Sequence, residues 1–248
     1  MTVDTAFFVT GANRSGPWVI TVDHARNFVP AWVNGGDLGV GPQDMDRHIA
    51  YDIGAEGVAL ALGELLDSPV ICSNFSRLVI DPNRGLDDPT LVMQLYDGSI
   101  IPANRNIDAT GVQARVDHLY QPYHDALARL MHSRAAPAIL AMHSFTPQLA
   151  GRPKRPWEVG ILFADDQRLS VPLIASLQQD ADLTVGVNEP YVGHLPGDSV
   201  DRHALCRGHL NALIELRNDL IADKSAQQHW AGRLAPHLTR SLHHAKGS

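Results

Sequence analysis

Two histidines, His24 and His143, each come directly after an apolar run of the kind that forms a buried strand. Zinc in proteins prefers histidine nitrogen and carboxylate oxygen, and a catalytic zinc site uses three protein ligands with one position open for water. One such histidine alone is usually just a hydrogen-bonded side chain at a strand end. Two in equivalent positions, with acidic residues nearby, favour a metal centre.

The third ligand has several candidates. We expect Asp46, in the segment DMDRH, with His48 in the same segment and Asn27 as weaker alternatives. Asn27 follows His24 by three residues, which is the spacing of an HxxE ligand pair, but asparagine is a poor zinc ligand compared with a carboxylate. Helix capping and solvated charge explain any one of Asp44, Asp46 and Asp52, taken alone, better than metal binding does.

A second group of polar residues, Arg77, Asn83 and Arg84, lies in the segment SRLVIDPNRG. The planar guanidinium of arginine matches the two oxygens of a carboxylate, so such a group could anchor a small acidic substrate beside a metal. An internal ion pair with Asp81 is an equal alternative for Arg77.

Glu215 follows another apolar run and is a candidate general base. A carboxylate beside activated water can accept its proton and deliver it to a leaving nitrogen. A salt bridge with Arg217 is the simpler alternative for Glu215, and Glu189, in NEPY, is a second candidate acid. The chain has no GxSxG, no GxxxxGK[ST] and no GxGxxG, the motifs of serine hydrolases, phosphate loops and dinucleotide binding.

The composition excludes several classes of function. The 248 residues are 44% hydrophobic, and 20 Lys and Arg against 27 Asp and Glu give a net charge of -7. An acidic chain argues against nucleic acid or an anionic membrane as its main partner. Its two cysteines form no paired framework, no segment has the roughly 18 to 20 apolar residues of a membrane span, and no secretory signal is evident, so we expect a cytoplasmic protein.

These side chains must be positioned by alternating strands and helices, which predict an α/β fold with a mixed, mostly parallel sheet covered on both faces. We expect one domain over residues 1–248, and ligands bind at the carboxyl ends of strands in such sheets. The predicted strands are residues 18–23, 68–73, 77–81, 137–142, 158–163, 183–187 and 209–217, and the predicted helices are residues 48–66, 112–134, 169–181 and 218–234. Residues 85–111 are predicted to form a long irregular surface loop. The segment HLTRSLHH is predicted to be a frayed terminal tail.

Eight short segments occur in a specific order over roughly residues 18–230: VDHARNFVP, DMDRHIAYDIGA, SRLVIDPNR, PYHDAL, MHSFTP, RPWEVGIL, NEPY and IELRNDL. Together they resemble the N-formylglutamate amidohydrolase family. That family is similar to the zinc carboxypeptidases and to the succinylglutamate desuccinylase and aspartoacylase group. The resemblance implies a three-layer α/β/α, zinc-exopeptidase-like fold.

The resemblance also implies roles for individual residues. His24 and His143 match the two histidine zinc ligands of the wider superfamily. Position 27 departs from its HxxE motif, and Asp46, in a DxDxH pattern, is the replacement that we expect.

The remaining roles follow in the same way. Glu215, in IELR, resembles the general-base glutamate, Asn83 and Arg84 resemble the pair that grips the substrate carboxylate, and Arg77 resembles an arginine that polarises the scissile carbonyl.

The resulting expectation is an amidohydrolase that uses Zn²⁺ or another divalent metal to cleave a small acidic N-acyl amino acid. N-formyl-L-glutamate, cut to L-glutamate and formate in histidine breakdown, is the first substrate implied by the resemblance. We expect no nucleic-acid or membrane partner, and the oligomeric state stays open. Two alternatives remain: a zinc carboxypeptidase-like peptidase or amidase acting on peptides or cell-wall fragments, and a non-catalytic binding protein of the same fold.

Overall fold

A seven-stranded sheet forms the centre of the protein, in a computed structural model that describes residues 5–193 and 195–247. The order of its strands is β1-β3-β2-β6-β9-β7-β8, and β4 and β5 form a separate small hairpin. The strands are Phe7–Thr10 (β1), Trp18–Val22 (β2), Val70–Ser73 (β3), Leu95–Tyr96 (β4), Ser99–Ile100 (β5), Ala138–Phe145 (β6), Val159–Leu162 (β7), Val185–Val187 (β8) and Leu210–Arg217 (β9).

The central strands run in one direction. Strands β3, β2, β6 and β9 are parallel neighbours, whereas β1 is antiparallel to β3 and β7 is antiparallel to β9. The predicted mixed, mostly parallel α/β sheet is therefore confirmed. The central strands β2 and β6 are buried along their whole length because both faces of the sheet are covered.

Helices cover the two faces of the sheet. They are Pro42–Met45 (α1), Ala55–Leu65 (α2), Ala109–Arg115 (α3), Gln121–His132 (α4), Ser170–Leu177 (α5), Ser199–His203 (α6) and Lys224–Gly247 (α7). Successive residues of a strand point to opposite faces, and in β2 Ile20 packs into the core formed with α2, α5 and α7, while Val19 packs into the core formed with α4 and α6. The result is three layers.

The predicted helix over residues 112–134 is present, but it contains a wide turn. A π-helical turn, Val116–Tyr120, joins α3 to α4, and the N–H of Gln121 donates to the carbonyl of Val116, five residues earlier. Pro122 follows at once, and proline has no N–H to continue the regular α-helical ladder. The widened turn thus accommodates the proline, and such turns are frequent at functional sites.

The predicted strand over residues 77–81 is wrong. Leu78, Val79 and Ile80 are buried, but they form a turn in which the N–H of Val79 donates to the carbonyl of Ser76. This turn belongs to a separate apolar cluster that contains Phe75 and the residues around it. The apolar residues at 78–80 are therefore explained by burial of the turn, and they do not pair with a strand.

Two helix boundaries also differ from the prediction. Helix α2 begins at Ala55 because Gly54 has a positive φ of 81° and lies against the carbonyl of Ile221. The C-terminal segment HLTRSLHH is helical rather than frayed, since Leu238 and Leu242, one turn apart, are buried in α7. No helix in the described part of the chain is both long and apolar enough to cross a bilayer.

Candidate metal centre and adjoining cavity

His24, Asp52 and His143 converge at the carboxyl ends of the parallel strands. Each offers one ligand atom, and these atoms lie within 4.8 Å of one another. Asp52 Oδ2 is 3.2 Å from His24 Nδ1 and 2.8 Å from His143 Nδ1. The N–H of Asp52 also donates to the carbonyl of His24, so the turn before α2 is tied to the end of β2.

The outer nitrogens of both rings face further carboxylates. His24 Nε2 is 2.7 Å from Asp81 Oδ1, and His143 Nε2 is 3.6 Å from Asp23 Oδ2. Carboxylates in these positions fix the orientation of metal-binding imidazoles and increase their basicity. The donor set, two imidazole nitrogens and one carboxylate oxygen, fits a zinc site with an open position.

These buried groups shift one another's pKa values. Burial alone would raise the pKa values of Asp52 and Asp81, but the nearby imidazoles, with Arg77 beside Asp81, hold them below the usual range. Burial opposes the charged form of His143, but its contacts with Asp23 and Asp52 raise its pKa well above the ordinary value. The centre therefore concentrates negative charge that a cation would balance.

Glu215 lies on β9 directly beside His143 on β6 in the parallel register. Its side chain is buried, and its Oε2 has no hydrogen-bond partner among the described residues. Burial raises the pKa of Glu215 to about 7, with Asp52 contributing in the same direction and His143 opposing it. A carboxyl group with a pKa near neutral can both accept and donate a proton.

Arg77 belongs to the same site. Its Nη2 is 3.0 Å from Asp81 Oδ2, its Nη1 is 3.4 Å from Asp52 Oδ1, and its guanidinium stands 5.5 Å from the ring centre of Tyr96. It is thus ion-paired and also lines the cavity beside the metal centre. The internal ion pair and the functional role that the sequence left open are compatible.

Asn83 and Arg84 line the same cavity. Arg84 donates through Nη1 to the carbonyl of Asn83 at 2.8 Å and through Nε to Thr90 Oγ1 at 3.1 Å. Asn83 Oδ1 accepts a hydrogen bond from the N–H of Ser199, at the start of α6. These contacts fix the backbone of the segment and one edge of the guanidinium.

The cavity next to the metal centre has a volume of about 260 Å³. Its walls divide by chemistry into a polar side, which holds the groups described above, and an apolar side. The apolar side includes Leu162, Leu213, Tyr191 and Val192. Arg155 holds the Tyr191 hydroxyl at 3.2 Å. The mixture of apolar walls and a few convergent polar groups is typical of a small-molecule site.

The third ligand is the point at which the structure departs from the sequence expectation. Asp46 is the residue that caps the C-terminus of α1, and it lies outside the group of potential metal ligands. The acid in that group is Asp52. Asn27 donates its amide to the carbonyl of Met45. His48 lines the cavity, with its Nε2 3.7 Å from Asp97 Oδ2.

Sequence reasoning could have found Asp52, because it lies in the same segment as Asp46, two residues before Gly54, which immediately precedes α2. Glu189, the second candidate acid, is exposed and is not among the residues that line the cavity.

An α/β sheet carries a buried His-Asp-His cluster beside a buried glutamate whose Oε2 has no hydrogen-bond partner among the described residues, and this arrangement defines a hydrolase-like site. A model of the family described as N-formylglutamate amidohydrolase matches residues 16–222. The chain belongs to the N-formylglutamate amidohydrolase family, as its sequence motifs predicted, and the family supports hydrolase activity.

Two solved structures show the same fold. A gene product from Agrobacterium tumefaciens is 34% identical, with a TM-score of 0.91 over 97% of this chain and 96% of that chain. N-formylglutamate amidohydrolase from Ralstonia eutropha JMP134 is 20% identical, with a TM-score of 0.74 over 98% of this chain and 100% of that chain. No curated protein matches the sequence.

Proposed function

We propose that the protein is a metal-dependent amidohydrolase that cleaves a small N-acyl amino acid, with N-formyl-L-glutamate as the first substrate, to L-glutamate and formate. The observation that carries this proposal is the convergence of His24, Asp52 and His143 beside the unpaired carboxylate oxygen of Glu215, in a small cavity. Family membership supports the reaction class.

The metal would be held by His24, Asp52 and His143, of which the two histidines are those expected from the sequence. A divalent cation, with zinc as the first choice, supplies Lewis acidity for the scissile carbonyl and lowers the pKa of water at such a site. Asp81 and Asp23 keep the two imidazoles oriented through their outer nitrogens.

Glu215 carries the proton transfers. Its carboxylate accepts a proton from water as the water oxygen attacks the amide carbon. When the C–N bond breaks, the same group gives that proton to the departing nitrogen, leaving a carboxylic acid and a free amine. The acid then releases its remaining proton to solvent and becomes a carboxylate. The raised pKa of about 7 suits both steps near neutral pH.

Arg77 and the pair Asn83 and Arg84 divide the remaining roles. Arg77 is fixed by two carboxylates while lining the cavity, so it can stabilise negative charge on the carbonyl oxygen without reorganising. Arg84 binds the substrate carboxylate, and the side-chain amide of Asn83 assists from the same wall. An acidic protein can in this way bind an acidic substrate.

The test is a chelation-and-rescue assay on the purified protein, together with elemental analysis. We expect N-formyl-L-glutamate to give equal amounts of formate and L-glutamate. The activity should be lost on chelation and should return when zinc or another divalent metal is added. A panel of N-formyl, N-acetyl and N-succinyl amino acids and short peptides tests the substrate class.

Each alternative gives a different result in that assay. Turnover of peptides in preference to every N-acyl amino acid would replace the proposal with a peptidase. A metal-free protein that gains nothing from added metal would indicate a binding protein. A place in histidine breakdown and a cytoplasmic location are part of the same proposal. Growth on histidine after deletion of the gene tests the first, and cell fractionation tests the second.

A further inference from the structure

Tyr123 and His124 are consecutive residues of the segment PYHDAL, whose role the reaction leaves unexplained. Both side chains are buried, at 0% and 1% exposure, in the first turns of α4 after the π-helical turn. Neither is among the residues that line the cavity. Their polar atoms nevertheless point to two different parts of the site.

Tyr123 is connected to the metal centre. Its hydroxyl donates a short hydrogen bond to Asp23 Oδ1, and Asp23 Oδ2 faces His143 Nε2 at 3.6 Å. Within the described residues, neither Asp23 Oδ2 nor His143 Nε2 has a hydrogen-bond partner. An imidazole that binds a metal through Nδ1 keeps its proton on Nε2, so Asp23 Oδ2, 3.6 Å away, is the carboxylate oxygen that faces this proton. The Tyr123 hydroxyl fixes the rotation of that carboxylate.

His124 is connected to the substrate-binding segment. Its Nε2 is 3.0 Å from the carbonyl of Pro82, and a carbonyl only accepts, so Nε2 carries the proton. His124 Nδ1 is then an acceptor, and His203 Nε2, 2.9 Å away, must donate to it. These bonds fix the tautomers of two neutral histidines. They also attach Pro82, the residue before Asn83, to His124 on α4 and through it to His203 on α6.

Two further contacts act on the same segment. The Ser199 N–H donates to Asn83 Oδ1, and the Tyr120 hydroxyl donates to the carbonyl of Arg84 at 2.8 Å. The segment that carries Asn83 and Arg84 is not part of the sheet, so contacts of this kind hold it. The Ser199 hydroxyl also donates to the carbonyl of Pro82, at 3.4 Å, and the N–H of Asn83 donates to Asp81 Oδ1 at 2.9 Å.

We propose that Tyr123 and His124 are separate positioning residues, Tyr123 orienting the metal ligand His143 through Asp23 and His124 holding the segment that carries Asn83 and Arg84. This inference rests on the proposed function, since it uses the roles assigned to His143 and Arg84. It implies that substitutions at adjacent positions have independent effects, one on metal affinity and the other on substrate binding.

The metal half is tested with Tyr123→Phe, which removes only the hydroxyl. We expect the dissociation constant for zinc, measured by competition with a chromophoric chelator without substrate, to rise about tenfold. At saturating zinc, KM should stay within twofold of the unmodified protein. Tyr51→Phe, at a half-buried tyrosine outside the cavity lining, is the matched control.

The substrate half is tested with His124→Phe and His124→Gln. We expect His124→Phe to raise KM about tenfold for the N-acyl amino acid that turns over best, with the zinc dissociation constant unchanged. The amide of Gln can donate to the Pro82 carbonyl, so His124→Gln should recover part of the loss. His132→Gln, at the exposed end of α4, is the control.

The two halves fail separately. A zinc dissociation constant within twofold of normal in Tyr123→Phe overturns the first half, and a normal KM in His124→Phe overturns the second. If Tyr123→Phe does not fold, Asp23→Asn replaces it, because this change removes the negative charge facing His143 and retains an oxygen for Tyr123. Because zinc affinity is measured without substrate, an absence of turnover on the whole panel would refute the proposed function and leave the metal half testable.

Discussion

Glu215 and the potential metal ligands are held by different means. Sheet register places Glu215 next to His143, whereas the three ligand atoms are held by hydrogen bonds and by carboxylates behind the rings. One buried oxygen of the Glu215 side chain has no hydrogen-bond partner in the part of the chain that the structure describes. Burying a carboxylate oxygen without a hydrogen-bond partner destabilises the folded protein. Such destabilised groups are found most often at sites where the group takes part in a reaction.

Glu215→Gln should abolish most of the turnover while leaving the protein folded and metal-loaded. Glutamine has nearly the same shape but cannot take up a proton, and general acid–base catalysis contributes roughly 100- to 10,000-fold. We expect kcat to fall by at least about 100-fold, with unchanged circular dichroism and zinc content. Glu189→Gln, at an exposed glutamate, is the control. Unchanged activity in Glu215→Gln would remove this residue from the mechanism.

Arg84→Ala should affect binding of the substrate carboxylate rather than the chemical step. A charge-assisted hydrogen bond to a carboxylate contributes about 1.5–3 kcal/mol, so KM for N-formyl-L-glutamate should rise by roughly 10- to 100-fold, with kcat within a few-fold of normal. Steady-state kinetics on this substrate and on its uncharged diamide measure the difference. An equal effect on both compounds would contradict carboxylate anchoring.

Helices α4 and α6 bring a buried histidine pair into contact, and this pair affects stability at the scale of the elements. Burial lowers the pKa of His124 to about 3 and that of His203 to about 4, with neighbouring positive charge adding to both shifts. In the unfolded chain both return to the ordinary value of 6.5. The packing of α4 against α6 therefore depends on two neutral rings.

The free energy of unfolding should fall as the pH drops from 6.5 toward 4. Above pH 6.5 both states hold neutral rings and the contribution of the pair is complete, whereas below it the unfolded chain takes up protons that the folded chain does not. The loss is at most about 1.4 kcal/mol per pH unit for each histidine. Urea unfolding at pH 7, 6 and 5 measures it.

His203→Gln is the matched variant for this measurement, because its amide can still donate to His124 Nδ1 but does not titrate. We expect the dependence of unfolding free energy on pH to be visibly shallower in the variant. Identical slopes in both proteins would show that the pair does not contribute.

Charge is distributed unevenly over the whole molecule. The net charge of -7 would repel an acidic substrate, yet the loop over residues 151–157 carries Arg152, Lys154 and Arg155. Arg155 contacts Tyr191, which lines the cavity, so this basic loop lies near the mouth of the site. A local positive field beside a cavity raises the encounter rate with anions.

Reversing two of these charges, with Arg152→Glu and Lys154→Glu together, should lower kcat/KM for N-formyl-L-glutamate several-fold at low salt. The difference should shrink at high ionic strength, where exposed charges are screened within a few ångströms. The control is Arg207→Glu with Lys246→Glu, which changes the net charge equally near the amino ends of the strands. The same loss in the control would attribute the effect to net charge alone.

The sequence by itself was sufficient for the α/β fold class and for the family, because apolar runs and ordered motifs are properties of the chain read in one dimension. It also singled out His24, His143 and Glu215, since polar residues that follow buried strands of one sheet meet at its carboxyl edge. The structure brings these three residues together.

Only the tertiary structure decided which acid joins the two histidines. Asp46 and Asp52 lie six residues apart in one segment, and the path of the chain, tied by the Asp52 N–H to His24 and turned at Gly54, brings Asp52 to the rings. It also decided that the apolar run at 78–80 is a turn, because burial makes a run apolar whether or not its backbone pairs with another strand. Distances between segments remote in sequence are set by packing, which local patterns do not encode.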